Sequence, residues 1–406
     1  MTADSATTSL GTTTLRPELR ARLADATGRL RALGLAEGPD AFRPEASAAI
    51  VAARLHTMTL PEEQGGLAAG LSNAVQVLAE VAAVDGSTGL GFAMHTHLLG
   101  GTVECRAWPN EPVRQLVQSV VAEGALVNAA STEAGSGSPA RGGLPATTAT
   151  LDGDVYRVTG EKTWTTWLPV LRWALVSARL APADPVSVGN LLVDLSSPGI
   201  ERLPGFEALG MRGSASGRLA MHDVRVPKDC LVVLRRPGEP DPRGASPAGW
   251  FGLCVAAVYL GIGEGARDHV VRWAMDRRPG DGSSAVADIP SVQVRLGRLD
   301  AALRAARIVL LDVARRWDAS DAAGRGALMG DVGLAKVGAT NAAVLATDEA
   351  LRIAGGPGFL AGPIERAFRD ARAGLINPPL DDIAFQDFAK RLIDDARREP
   401  DRPARA

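Results

Sequence analysis

The stretch ATTATLDGDVYRVTGEKTWTTW, residues 146–167, decides the architecture. Thr147, Thr148, Thr150 and then Val155, Val158 and Thr159 give two runs rich in β-branched residues, and Asp152, Gly153 and Asp154 stand between them. That pattern predicts two antiparallel strands joined by a tight turn. The second run ends in GEKTWTTW, residues 160–167, which spends two of the chain's seven tryptophans within four residues. Broad rings beside hydroxyls suit a planar ligand with a polar rim. The plainer reading makes Trp164 and Trp167 core or interface residues of a sheet.

Working outward, residues 15–121 are Ala/Leu-rich with helical spacing, as in LSNAVQVLAEVAAV, where Leu71, Val75, Leu78 and Val81 recur at intervals of three and four. LPEEQGG, residues 60–66, interrupts them as a loop. Beyond the opening stretch, RWALVSARL, GNLLVDL and GRLAMHDVRVP read as further strands of an antiparallel sheet, ending at Pro227. Helical language resumes near Ala248 and runs to about Arg398, broken at residues 277–290 and 354–363. The expected fold is a multi-part α+β chain: an N-terminal helical domain at 15–125, a central β-sheet domain at 126–235 and a C-terminal helical bundle at 245–398. A cofactor belongs in a cleft where such layers meet.

Composition removes several function classes. The formal charge of -2, with scattered Lys and Arg, gives no electrostatic footing for nucleic acid or an anionic membrane. The longest apolar run, residues 250–262, is too short for a bilayer span and reads as a buried core helix. The Ser/Thr-rich N-terminus lacks the pattern of a secretory leader. Cys105, Cys230 and Cys254 are odd in number and widely spaced, which fits a reducing cytoplasm, and no metal-ligand spacing appears.

Four phrases in order, STEAGSGS (131–138), GEKTWTTW (160–167), LGMRGSASGRLAMHDVRVP (209–227) and IAGGPGFLAGPIERAFRDAR (353–372), together resemble the acyl-CoA dehydrogenase family of flavoproteins. The resemblance implies that family's fold, with FAD as cofactor. It implies that Thr132, Ser138, Trp164 and Thr166 line the flavin ring, Trp164 packing on it and Thr166 bonding N5, while Trp167 stays a core residue. It assigns the FAD diphosphate to Arg277, Gln293, Arg352, Gly355 and Gly356, this last loop coming from a neighbouring subunit of a homo-oligomer, a dimer or homotetramer. Glycines there let backbone approach a diphosphate closely. Departures from the family pattern are Ala134, Pro139, Arg352, Gly280 and Asp281.

The largest departure concerns catalysis. The family takes a substrate α-proton with a Glu, yet the two homes of that Glu fall here on Pro378 and near Phe251. Such a base contributes about 10² to 10⁴ in rate. Replacement candidates are Asp381 and Asp382, which otherwise read as a solvated helix start, and His95 and His97, which an i, i+2 spacing puts on different helix faces. The resemblance implies an FAD-dependent oxidoreductase that oxidises an acyl-CoA, a carrier-bound acyl group or a related small molecule by hydride transfer to N5, with an electron-transfer flavoprotein as partner. The missing Glu keeps open a monooxygenase of the same fold, served by a flavin reductase and using O₂, and a flavin binder without turnover.

Overall fold

Proline opens α1 (Pro17–Ala32) and α2 (Pro44–Ala52), its fixed φ and missing N–H costing nothing at a first helical position. α3 (Leu71–Val84), α4 (Gly86–Cys105) and α5 (Asn110–Glu123) follow. Asp85 caps α4, its carboxylate accepting the Thr88 N–H at 2.7 Å. The computed structural model describes residues 15–398 except 36–37, 39, 136–143, 182–185, 237–238, 281 and 283.

The central layer holds β1 (Leu126–Ala130), β2 (Thr148–Asp152), β3 (Val155–Thr165), β4 (Leu171–Ala181), β5 (Val188–Asp194), β6 (Ile200–Leu203), β7 (Gly217–Pro227) and β8 (Leu231–Arg235). β2 and β3 form the expected hairpin, with Asp152 opposite Val155. The sheet order is β6-β7-β3-β2-β4-β5-β8. The wholly antiparallel expectation needs correction, because β1 and β2 both run parallel to β4. β1 pairs with residues up to Val176 and β2 from Arg179 onward, so two collinear strands share one edge of β4. The other edge of β4 is taken by β5, which leaves β1 and β2 only that side.

The C-terminal layer holds α6 (Ser246–Asp276), α7 (Pro290–Asp318), α8 (Ala322–Ala327), α9 (Met329–Ala354), α10 (Gly356–Phe359), α11 (Pro363–Arg372) and α12 (Asp381–Arg398). α6 is long and apolar enough to cross a bilayer, but 83% of its most apolar window is buried within the fold, as a core helix. It packs against α3, α4 and α9. Gly261 permits the α3 contact, since a Cβ there would lie 2.2 Å from the Ala79 carbonyl oxygen.

α11 ties the three layers together. Arg369 donates to Asp40 at 2.7 Å and to the Leu209 carbonyl at 3.0 Å, while Arg366 donates to the Leu35 and Gly38 carbonyls. Asp370, 3% exposed, accepts the Met211 N–H at 2.5 Å. The RDAR phrase thus fixes the 209–216 loop of the central layer against the N-terminal layer.

Candidate active site

The end of β3 departs from strand geometry where the sequence places its aromatic phrase. Lys162 pairs with Leu219 and Thr165 with Gly217, so β3 carries one residue more than β7 across that interval, a β-bulge. Trp164 occupies the bulge at φ 56°, a left-handed conformation rare for a bulky residue that Trp167 shares at φ 61°. The twist carries its indole outward to 48% exposure, with one face stacked on Phe206 at 4.5 Å. The pair makes an open aromatic shelf rather than the wall of a closed cavity.

Thr166, behind the shelf, is buried, and its hydroxyl lies 2.9 Å from Ser216 Oγ, itself 2.9 Å from Ser214 Oγ. Asn128 on β1 donates to the Thr166 carbonyl at 3.1 Å. Trp167 is 1% exposed, and a Cβ on Gly91 of α4 would come within 2.0 Å of its ring. One tryptophan of the phrase is therefore display and the other is core. Thr132 lies beside β3, its carbonyl accepting the Thr163 N–H at 2.8 Å; Ser138 and Pro139 lie outside the described residues.

Of the two histidines on α4, His95 has no nitrogen to spare. Nε2–H donates to the His56 carbonyl at 2.8 Å and Nδ1 accepts the Val127 N–H at 3.2 Å, which makes it a neutral tie between α4 and β1. A general-base role for His95 is thereby corrected to a structural one. His97 makes no hydrogen bond among the described residues, and its ring meets Phe251 edge-on at 5.2 Å. Burial, with His95 adding to it, lowers its pKa to about 3, so the imidazole is neutral at ordinary pH. Its contact with Phe251 sets it beside one of the two positions where the sequence lacks the expected Glu.

At the other such position, Asn377 donates to the Tyr259 hydroxyl at 2.6 Å, and Pro378 and Pro379 follow. Asp381 accepts from Asn341 at 2.8 Å and lies 3.8 Å from buried Lys336, while Asp382 is exposed in the first turn of α12. Asp381 thus ties the start of α12 to α9 through Oδ2, while its buried Oδ1 makes no hydrogen bond among the described residues. The structure brings neither carboxylate to the shelf by any bond among the described residues.

The residues assigned to the diphosphate belong to the C-terminal layer. Arg277 ends α6 and is exposed, Gln293 donates to the Ala287 carbonyl at 3.1 Å, and Arg352 pairs with Asp348 at 2.6 Å. Gly355, at φ 62°, and Gly356 have nothing within 4 Å of an added Cβ, so their backbone is open to a ligand. No hydrogen bond or ion pair joins these residues to β3 among the described residues. No group of three or more metal-ligating side chains occurs among them either.

A flavin needs a flat apolar support and polar groups along its rim. Trp164 and Phe206 offer the first and the Thr166 hydroxyl the second, with Asn128 Oδ1 and Thr165 Oγ1 buried and without hydrogen-bond partners among the described residues. The residues fit the group. Missed in the sequence were Asn128, Ser216 and Phe206, and also Glu133, bound to buried Lys162 at 2.5 Å. Lys162 carried a signal, since a lysine at an inward position of a strand demands a buried acceptor.

Residues 27–107, 128–224 and 253–376 match the family models for the acyl-CoA dehydrogenase N-terminal, middle and C-terminal domains. The chain is 34% identical to the putative acyl-CoA dehydrogenase YdbM of Bacillus subtilis over 83% of this chain and 86% of that protein. Its fold superposes with TM-score 0.80 on KijD3 in complex with FMN and a dTDP-amino sugar, at 24% identity over 94% and 95% of the two chains. Against FMN-bound TdsC from Paenibacillus sp. A11-2, which is a dibenzothiophene monooxygenase, the TM-score is 0.78 at 21% identity over 91% and 95%. Butyryl-CoA dehydrogenase of Megasphaera elsdenii gives 0.81 at 19% identity over 94% and 99%. The chain belongs to the acyl-CoA dehydrogenase family and is a flavin-dependent oxidoreductase.

Proposed function

We propose that this flavoprotein works as a monooxygenase, taking reduced flavin from a separate reductase and placing one atom of O₂ on a small, largely apolar substrate. In balance, substrate, O₂ and the two reducing equivalents of the flavin give oxygenated product and water. The observation that carries the reading is the pairing of His97 with Phe251 where a carboxylate would otherwise stand. A dehydrogenase must remove an α-proton, and an imidazole held near pKa 3 by burial is a poor base for that. A neutral imidazole still offers one N–H and one lone pair, enough to donate to a developing oxyanion or to orient a substrate.

Bound flavin would supply the redox chemistry. Trp164 would hold its ring and the Thr166 hydroxyl would serve its polar rim. Ser216 fixes which way the Thr166 hydroxyl points. In a homo-oligomer, Gly355 and Gly356 of one subunit would meet the diphosphate of FAD seated on the other, the expectation taken from the family. The kinship with a putative acyl-CoA dehydrogenase favours a second reading, oxidation of an acyl thioester with electrons passed to an electron-transfer flavoprotein.

The two readings part in one experiment. Flavin-loaded protein is mixed without oxygen with acyl-CoAs of graded length, and separately with a flavin reductase and NADH before exposure to labelled O₂. Bleaching by the reductase alone, followed by label in the product, is the expected result. Bleaching by an acyl-CoA sinks the monooxygenase reading.

A further inference from the structure

Lys162 has no exposed surface and Glu133 only 7%, though charged side chains are rarely found so deep. Burying both partners of an ion pair is costly unless the remaining lone pairs and protons are also satisfied. Here they are. Glu133 Oε1 accepts from Lys162 Nζ at 2.5 Å, from the Thr147 hydroxyl at 2.6 Å and from the Thr147 N–H at 3.0 Å, and Oε2 accepts the Ala146 N–H at 2.6 Å. The Lys162 ammonium also donates to Ser177 at 3.3 Å. Burial alone would raise the Glu133 pKa, but Lys162, Thr147 and Ala146 outweigh it and hold it at about 2. Burial draws Lys162 below its ordinary value, against the pull of Glu133. The two directions oppose each other, and the carboxylate decides: with four donors aimed at it, it is ionised, and it keeps the ammonium charged.

The place matters as much as the energy. β1 leaves the edge of β4 at Val176 and β2 rejoins it at Arg179, and Ser177 falls in the gap. Glu133 therefore stands where two collinear strands interrupt each other, and it binds the residues just before β2 to β3. One residue on from Lys162, Thr163 donates to the Thr132 carbonyl, and Trp164 in its bulge comes next.

We propose that the Glu133–Lys162 pair is a positioning device for the flavin site, fixing the peptide of Thr132 against β3 and so setting the attitude of the bulge that displays Trp164. The inference rests on the flavin reading of that shelf. A staple with no part in the site would hold the same bonds, so the test must read the shelf apart from stability.

Glu133→Gln keeps the shape, removes the charge and strands the ammonium. For the native protein, Glu133→Gln, Glu133→Asp and the Glu133→Gln/Lys162→Met double variant, FAD affinity is measured by titration, the visible flavin spectrum is recorded, and thermal unfolding is followed separately. The expected result is an FAD affinity at least about tenfold weaker in Glu133→Gln with a displaced visible band, and partial recovery in Glu133→Asp. An unchanged affinity and spectrum in Glu133→Gln overturns the proposal, however far its Tm falls. Should Glu133→Gln not fold, Thr147→Val removes one of the four donors; a weaker FAD affinity supports positioning and an unchanged one refutes it. A native protein that binds neither FAD nor FMN overturns the flavin reading, and this inference falls with it.

Discussion

At the end of β3 the polar groups form a chain behind the shelf: Thr166 meets Ser216, Ser216 meets Ser214, and Asn128 holds the Thr166 carbonyl. In the segment after α11 they serve neighbouring helices: Asn377 donates to Tyr259, and Asp381 accepts from Asn341 and lies near Lys336, with Pro378 and Pro379 between them in the chain. The groups around Trp164 and those beside Pro378 thus belong to separate stretches of chain. A fold built this way can change its chemistry without rebuilding its cofactor platform.

The comparison breaks most readily at His97. If His97 has taken over the reacting side, His97→Asn should lower turnover by about a hundredfold or more while FAD remains bound, read by steady-state rate and flavin absorbance together. A rate within about twofold of native would leave the reaction space with no ionisable contributor.

Asp370 probes the anchor that carries the altered segment. Burial pushes its carboxyl up to about 7, Asp40 and Asp85 adding repulsion while the Met211 N–H and Arg369 oppose. Because the native state then holds its proton more tightly than the unfolded chain, stability falls as pH rises from about 4 to 7, and the loss is complete above that window. Asn at 370 keeps an acceptor for Met211 and cannot ionise. Asp370→Asn should therefore gain roughly 2 kcal/mol on the native protein between pH 5 and pH 8, measured by urea unfolding at both values. Equal slopes would show that the carboxyl is not proton-bound at neutrality.

Trp164→Ala sharpens the display role of the shelf: FAD affinity should fall by about tenfold, as loss of an aromatic contact predicts, with little change in Tm because the ring is half exposed. The smallest effect is expected of Asp382→Asn, under about twofold in flavin reduction or turnover. A larger one would return the segment after α11 to the chemistry.

The hairpin was legible because Asp152-Gly153-Asp154 specifies a turn and alternation specifies the flanking strands. The parallel pairings of β1 and β2 with β4 were not, since alternation tells which face a residue takes and nothing about its neighbouring strand. The i, i+2 spacing of His95 and His97 announced opposite faces, but which one is tied depends on the Val127 and His56 backbones, 32 and 39 residues away. That Trp164 would project outward and Trp167 inward rests on a bulge, and no side-chain preference predicts left-handed backbone at a tryptophan. Glu133 passed unremarked within STEAGSGS because its partners, Ala146, Thr147 and Lys162, follow at long range.

The lashing of all three layers by α11 bears on how the molecule is made. A ten-residue helix that begins at Pro363 holds Leu35, Gly38, Asp40, Leu209 and Met211, so a ribosome must release nine-tenths of the polypeptide before this lashing can close. The lashing is therefore a late step, added to contacts between α4 and the sheet that His95 and Trp167 already make.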